Sequence, residues 1–215
     1  MSLENIEKKP KRRSYRHGDL RQALIAAGLE LAREGGPDAV ILREATRRVG
    51  VVPNAAYRHF ASRDDLLDAV KSAALAELAL AMEAELDAVD RSGGPARTAR
   101  SMLSAVGRAY LTFAAKEPGL FRTAFVPLDV AEGVTDPAKA GKSGLNPFQL
   151  LSAALDAMVA SGVLPVERRP QAEYLAWSTV HGFAMLKLDG PLQHAAKEQV
   201  VALQERLLAM VERGI

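Results

Sequence analysis

Asn54, Tyr57, Arg58 and His59 fall within six consecutive positions, and their side chains suit contact with nucleic acid rather than bond-making chemistry. Asparagine carries the donor and acceptor that match the major-groove edge of adenine, and arginine the forked donors that match guanine. Tyrosine and histidine can hold phosphate oxygens, which position a protein on DNA without reading sequence. Arg43 on one side and Arg63 on the other extend the set. No serine, histidine and acid combination with nucleophile spacing is present, and no glycine-rich phosphate loop. The four histidines show no metal-ligand pattern, so neither catalytic residues nor a metal or cofactor are expected. Asp64 and Asp65 suit the first turn of a helix, where acids oppose the helix dipole, better than general acid or base work.

The elements that must position these side chains are three short helices and the start of a fourth. Leu42 to Val49 predicts a helix, Gly50-Val51 a tight turn that exploits glycine's backbone freedom, and Pro53 the first position of a second helix reaching about Phe60. Ser62-Arg63-Asp64-Asp65 has the form of a capping box ahead of Leu66 and Leu67. Upstream, Leu20, Leu24, Ala27 and Leu31 mark one apolar face of a helix over about 19–34, stopped by Gly35-Gly36-Pro37. Leu20, Leu24, Leu31, Ala45, Val49, Ala56, Phe60 and Leu67 can close a small core. Asn54, Tyr57 and Arg58 then face outward.

Position by position this stretch resembles the tetracycline-repressor (TetR) family of bacterial transcription regulators. The resemblance is carried by Leu42-Arg43-Glu44-Ala45, Gly50-Val51, Tyr57-Arg58-His59-Phe60, Ser62 to Leu67 and the upstream Tyr15 to Arg21. It continues more weakly through Lys116 to Phe121 and through Trp177 to Gly182, which resembles a C-terminal signature of one branch, with Trp and His-Gly. It implies DNA contacts from Arg43, Pro53, Asn54, Tyr57, Arg58, His59 and Arg63, the last with the helix amides behind it for phosphate. Family members often carry Ser or Thr before the positions of Leu42 and Pro53. Here Ile41 and Val52 stand instead, so fewer phosphate contacts are expected at those helix starts.

Charge agrees with a polyanion partner at the N-terminal end. Residues 1–65 hold 13 Lys and Arg against 9 Asp and Glu, and residues 66–215 hold 15 against 17. Six basic residues and no acid lie between Lys8 and Arg16, in an arm over residues 1–17 expected to be disordered and able to neutralise phosphates or enter the minor groove. The chain is 48% hydrophobic, mostly alanine and leucine, which allows a sizeable core and favours packed helices. There is no cysteine, no window of about 18 apolar residues and no apolar segment near the N-terminus, so a cytoplasmic protein without a membrane span is expected.

An all-α fold of about nine helices follows, with a helix-turn-helix DNA-binding domain over residues 18–65 and a larger domain over 66–215. Helices are expected at about 63–89, 96–116, 120–125, 146–162, 170–188 and 195–213, with a mobile loop over 127–144. The resemblance implies a homodimer through 170–188 and 195–213, and a pocket for a small hydrophobic or amphipathic effector. Candidate pocket residues are Met102, Phe113, Phe121, Phe125, Phe148, Met158, Trp177 and His181. The reading is a ligand-responsive regulator, most simply a repressor, on a palindromic operator. A DNA-bound architectural or interaction protein of the same fold, without an effector, stays open beside it, as does activation in place of repression.

Overall fold

The computed structural model describes residues 17–127 and 136–215. Residues 1–16 of the expected arm and 128–135 of the expected loop lie outside them. Among the described residues the chain forms nine helices and no strand: α1 His17–Gly35, α2 Leu42–Val49, α3 Pro53–Ala56, α4 Arg63–Asp87, α5 Pro95–Lys116, α6 Pro118–Ala124, α7 Pro147–Ala160, α8 Ala172–Leu188 and α9 Lys197–Gly214. None is long and apolar enough to cross a membrane.

Local chemistry sets most boundaries. Proline opens α3, α5, α6 and α7, where its missing amide costs no intrahelical bond. Ser62 and Asp65 form a reciprocal capping box on α4, with Asp65 N donating to Ser62 Oγ at 3.1 Å and Ser62 N to Asp65 Oδ2 at 3.0 Å. Asn146 and Gln149 do the same for α7. Gly50 ends α2 at φ 77°, and the amides of Gly50 and Val51 both donate to Thr46 O at 3.0 Å.

Two expectations need correction. The second reading-head helix is not regular to Phe60: α3 is one turn, Pro53–Ala56. Beyond it the His59 and Phe60 amides both donate to Ala56 O, at 2.8 and 3.0 Å, so the last turn tightens as Phe60 drops into the core. The loop expected to be mobile over 127–144 is pinned in its described second half. Glu83 on α4 accepts from Lys142 N at 2.9 Å, Ser143 N at 2.8 Å and Ser143 Oγ at 2.5 Å. Asp136 accepts from Ser72 Oγ at 3.3 Å and caps a short turn over Pro137–Lys139. Burial pushes the Glu83 carboxyl up in pKa, but these three donors outweigh it and hold it below the usual value.

The packing centres on α4, which contacts α1, α5, α6, α7 and the 137–139 turn. Leu66, Leu67, Val70 and Leu78 of α4 are fully buried with Leu24, Leu120, Phe121, Leu155 and Met158. Each such side chain contributes about 1.5–3 kcal/mol relative to staying exposed. The expected reading-head core is present: Leu20, Leu24, Leu31, Ala45, Ala56, Phe60 and Leu67 are buried, and Val49 packs against them.

α6 is clamped onto α1. Arg33 of α1 bonds Glu77 of α4 through Nη2, 2.7 Å from Oε1, and its Nε lies 3.3 Å from Glu117, between α5 and α6. A Cβ at Gly119 would stand 2.1 Å from Ala32 O and 2.8 Å from Arg33 O. Backbone carbonyls cannot rotate away as a side chain can. Gly119→Ala is therefore expected to destabilise the protein by about 1–3 kcal/mol, read as a drop in the midpoint of denaturant unfolding. An unchanged midpoint would mean that α6 is free to lift off α1.

Candidate functional site

Most of the candidate contacts on the reading head are exposed. Arg43 on α2, Pro53 and Asn54 on α3, and Tyr57 and Arg58 in the turn beyond are exposed, and His59 is half-buried. Tyr57 is 56% exposed, although its neighbour Phe60 is buried, so it stands on the surface and not in the core. Ala56 and Phe60 anchor this turn from below, and Arg21 of α1 lies over the Phe60 ring at 5.3 Å. Other arginines of α2 are committed within the head. Arg47 bonds Glu44 at 2.9 and 2.6 Å, and Arg48 reaches Glu34 on α1 at 2.9 Å. Arg43 and Arg58, by contrast, have no ion pair among the described residues.

Arg63, expected at phosphate, also has partners within the fold. Its Nε donates to Val40 O at 3.0 Å and its Nη2 to Pro37 O at 2.7 Å. The guanidinium thus satisfies carbonyls of the α1–α2 connection and ties it to the start of α4. Ile41 and Val52 cap α2 and α3 without side-chain hydrogen bonds, as their residue types required, and both are exposed.

A second site lies in the larger helical body. A cavity of about 760 Å³ is bounded by α4, α5, α7, α8 and α9 together with Phe125, Val126 and Pro127 after α6. That is within the usual range for small-molecule sites. Phe125, Phe148, Trp177 and His181 line it as expected. Phe113, Phe121, Met102 and Met158 do not. Phe113, Phe121 and Met158 are core residues; Phe121 supports the wall from behind, with its ring 5.0 Å from Phe125, 5.3 Å from Tyr110 and 5.6 Å from His181. Met102 points instead to a shallow surface groove beside Thr98 and Ala157. Helical spacing alone does not separate wall from core.

Several lining residues were missed. Tyr110 of α5 accepts a hydrogen bond from Trp177 Nε1 at 3.0 Å and its oxygen lies 2.7 Å from His181 Nδ1. Burial pushes the Tyr110 phenol well above its usual range, partly opposed by the Trp177 bond, and burial also pushes His181 below its ordinary value. Tyr174, Lys71, Lys139 and Asn146 line the cavity too. Lys71 is only 5% exposed and donates to Val126 O at 3.1 Å. Its signal was present in the sequence: it interrupts the apolar face made by Leu67, Ala74 and Leu78. Tyr110 gave none, standing far along the chain from both partners. No group of three His, Asp or Glu side chains suited to a metal ion occurs among the described residues.

Residues 24–70 match the model for bacterial regulatory proteins of the tetR family, and residues 103–211 match that for the tetracyclin repressor-like C-terminal domain. The chain belongs to the TetR family. It is a transcriptional regulator with an N-terminal helix-turn-helix DNA-binding domain and a C-terminal ligand-binding domain. No curated protein matches the chain by sequence. Among solved structures, a protein of unknown function from Rhodococcus sp. RHA1 is similar at 25% identity and a TM-score of 0.68, over 92% of this chain and 98% of that one. The regulator FadR from Bacillus subtilis, in complex with stearoyl-CoA, shares the fold at 17% identity and a TM-score of 0.63, over 90% and 98%. A TetR variant from Acinetobacter baumannii AYE, in complex with minocycline, does so at 20% identity and a TM-score of 0.60, over 90% and 94%.

The partial burial of His181 in this TetR-family chain has a pH consequence. Its folded pKa lies below the unfolded value of about 6.5, so the unfolded chain binds the proton more readily. The stability tied to neutral His181 is fully present above about pH 6.5 and is lost as pH falls through the folded pKa. Thermal unfolding of the wild type between about pH 7.5 and 5.5 should therefore fall more steeply than that of His181→Phe. Parallel curves would place His181 in a solvent-like setting.

Proposed function

We propose that this regulator is an effector-responsive repressor that binds a palindromic operator as a homodimer. Residues 18–65 form the reading unit, and residues 66–215 bind effector and partner subunit. Arg43, Asn54 and Arg58 read base edges from the major groove, with Pro53 starting the reading helix. Tyr57 and His59 hold the DNA backbone. Arg63 sets the entry to α4, and its half-exposed guanidinium, with Nη1 3.6 Å from Asp64, adds positive charge toward phosphate. The basic arm adds sequence-independent affinity.

One observation carries the regulatory part. The cavity wall includes Lys71, Leu75 and Met82 of α4, the same helix whose first turn receives the reading head at Ser62 and Arg63. α6, clamped to α1 at Gly119, leads into Phe125 and Val126 of the same wall. A ligand that prefers one placement of α4 and α6 therefore prefers one placement of the heads. By linkage, DNA then disfavours that ligand by the same factor. The largely apolar lining with few polar groups suits a small hydrophobic or amphipathic effector. Neighbours of the same fold hold chemically different ligands, stearoyl-CoA and minocycline, so the lining and not the fold selects the compound.

The dimer is supported by apolar side chains left in water. Leu175, Met185 and Leu186 of α8 and Val201 and Met210 of α9 are exposed, and nothing lies within 4 Å of a Cβ placed at Gly182. Pairing α8 and α9 with their symmetry mates covers these positions and sets two reading heads for two half-sites.

Binding of the purified protein to DNA fragments from upstream of its own gene, across a salt series, tests this. Saturable binding to one palindromic site is expected, weakening linearly in log affinity with log salt. Arg58→Ala and Tyr57→Ala should each weaken it about tenfold or more without a change in melting temperature. Uniform weak binding to every fragment, insensitive to both substitutions, would contradict the proposal.

A further inference from the structure

The aromatic end of the cavity holds a hydrogen-bond relay whose direction its surroundings fix. The indole Nε1–H of Trp177 can only donate, and it donates to the Tyr110 oxygen at 3.0 Å. The same oxygen lies 2.7 Å from His181 Nδ1. Tyr110 is 3% exposed, so its own hydroxyl proton needs an acceptor inside the protein. His181 Nδ1 is the acceptor in reach. Nδ1 therefore accepts, and the neutral imidazole carries its proton on Nε2. Were Nδ1 the donor, the Tyr110 oxygen would receive two protons while its own would have no protein acceptor among the described residues.

Nε2 has no hydrogen-bond partner among the described residues, yet no buried side-chain nitrogen or oxygen among them lacks one. Nε2–H therefore faces open space, and His181 lines the cavity. Its ring is held from the other sides by Phe121 at 5.6 Å, Phe125 at 5.1 Å and Trp177 at 6.2 Å. The result is a single oriented donor in an aromatic wall.

We propose that the effector is recognised through an acceptor oxygen, of a carbonyl or carboxylate group, seated on His181 Nε2–H, with its apolar body against Phe125, Phe148 and Trp177. This rests on the reading of the cavity as the effector site. Tyr110 is a positioning residue: its hydroxyl selects the tautomer that donates into the cavity. A ligand whose polar group only donates, such as an alkylammonium, meets a proton where it needs a lone pair and is disfavoured.

Trp177 is the chain's one tryptophan, so its fluorescence reports cavity occupancy directly. Full-length protein is titrated with para-butylacetophenone, with para-butylbenzoate and with para-butyl-isopropenylbenzene, which replaces the ketone C=O by C=CH2 at nearly constant shape. The ketone should bind about tenfold more tightly than the isopropenyl compound. The benzoate arm shows whether a carboxylate serves as well as a carbonyl. The ketone preference, read as the ratio of the two affinities within each variant, should vanish in His181→Phe and shrink several-fold in Tyr110→Phe. Tyr110→Phe, which keeps the ring contact to Phe121 at 5.3 Å, carries the same test if His181→Phe does not fold. Equal binding of both neutral probes to wild type, or a ketone preference that survives in His181→Phe, would overturn the proposal and leave the cavity a ligand site. No fluorescence change with any probe would overturn the effector-site reading and the proposal together.

Discussion

The continuity of α4 is the constraint on which the rest depends. Its 25 residues span about 37 Å as one stiff rod. Its first turn is fixed by the Ser62–Asp65 box and by Arg63 reaching back to Val40 and Pro37. Its first two turns bury Leu66, Leu67 and Val70 against α1, and Leu78 is buried in the larger body. Ser72 and, toward its C-terminal end, Glu83 hold the 136–145 segment. On the proposed reading, a tilt of this helix at the cavity carries the reading head with it. In the proposed mechanism packing becomes regulation through this rod, gripped at one end by α1 and lined along one wall by the cavity.

The grip is specific at close range. Gly28 of α1 admits Val70 so closely that a Cβ would meet its Cγ2 at 2.4 Å, and Gly119 admits the α1 backbone carbonyls. Arg33 adds a junction of α1, α4 and the α5–α6 corner. Surface ion pairs of this kind stabilise little. Here they orient elements that burial has already brought together.

Much of this was legible in the sequence because it is written locally. Pro53, Gly50, Ser62 with Asp65, and Asn146 with Pro147 each act within a few residues, and they place helix boundaries to within a residue or two. The reading head is likewise local, and its exposed set follows from one turn of spacing. What sequence does not carry is partnership across distance. Glu83 holds a segment some sixty residues away, and Tyr110 joins Trp177 and His181 from another helix. Nor does an apolar stripe reveal whether empty space or another side chain lies against it, so spacing does not separate the core residues Phe121 and Met158 from Phe125 and Phe148 on the cavity wall. The tight turn after Ala56 was missed for a related reason: helix-forming residues continue to Phe60, and only burial of Phe60 draws the chain in.

Coupling between cavity and heads is tested by a cavity-filling substitution, without knowledge of the effector. Leu151 lines the cavity from α7, a helix that belongs neither to the reading head nor to the helices proposed to pair in the dimer. The measurement is the affinity of Leu151→Trp, relative to wild type, for the upstream DNA fragment the protein binds, with melting temperature recorded alongside. Filling the space should weaken DNA binding about tenfold while the fold remains intact, the size expected for a coupling free energy between two sites. Wild-type affinity in a well-folded Leu151→Trp would show that the cavity and the reading heads are independent.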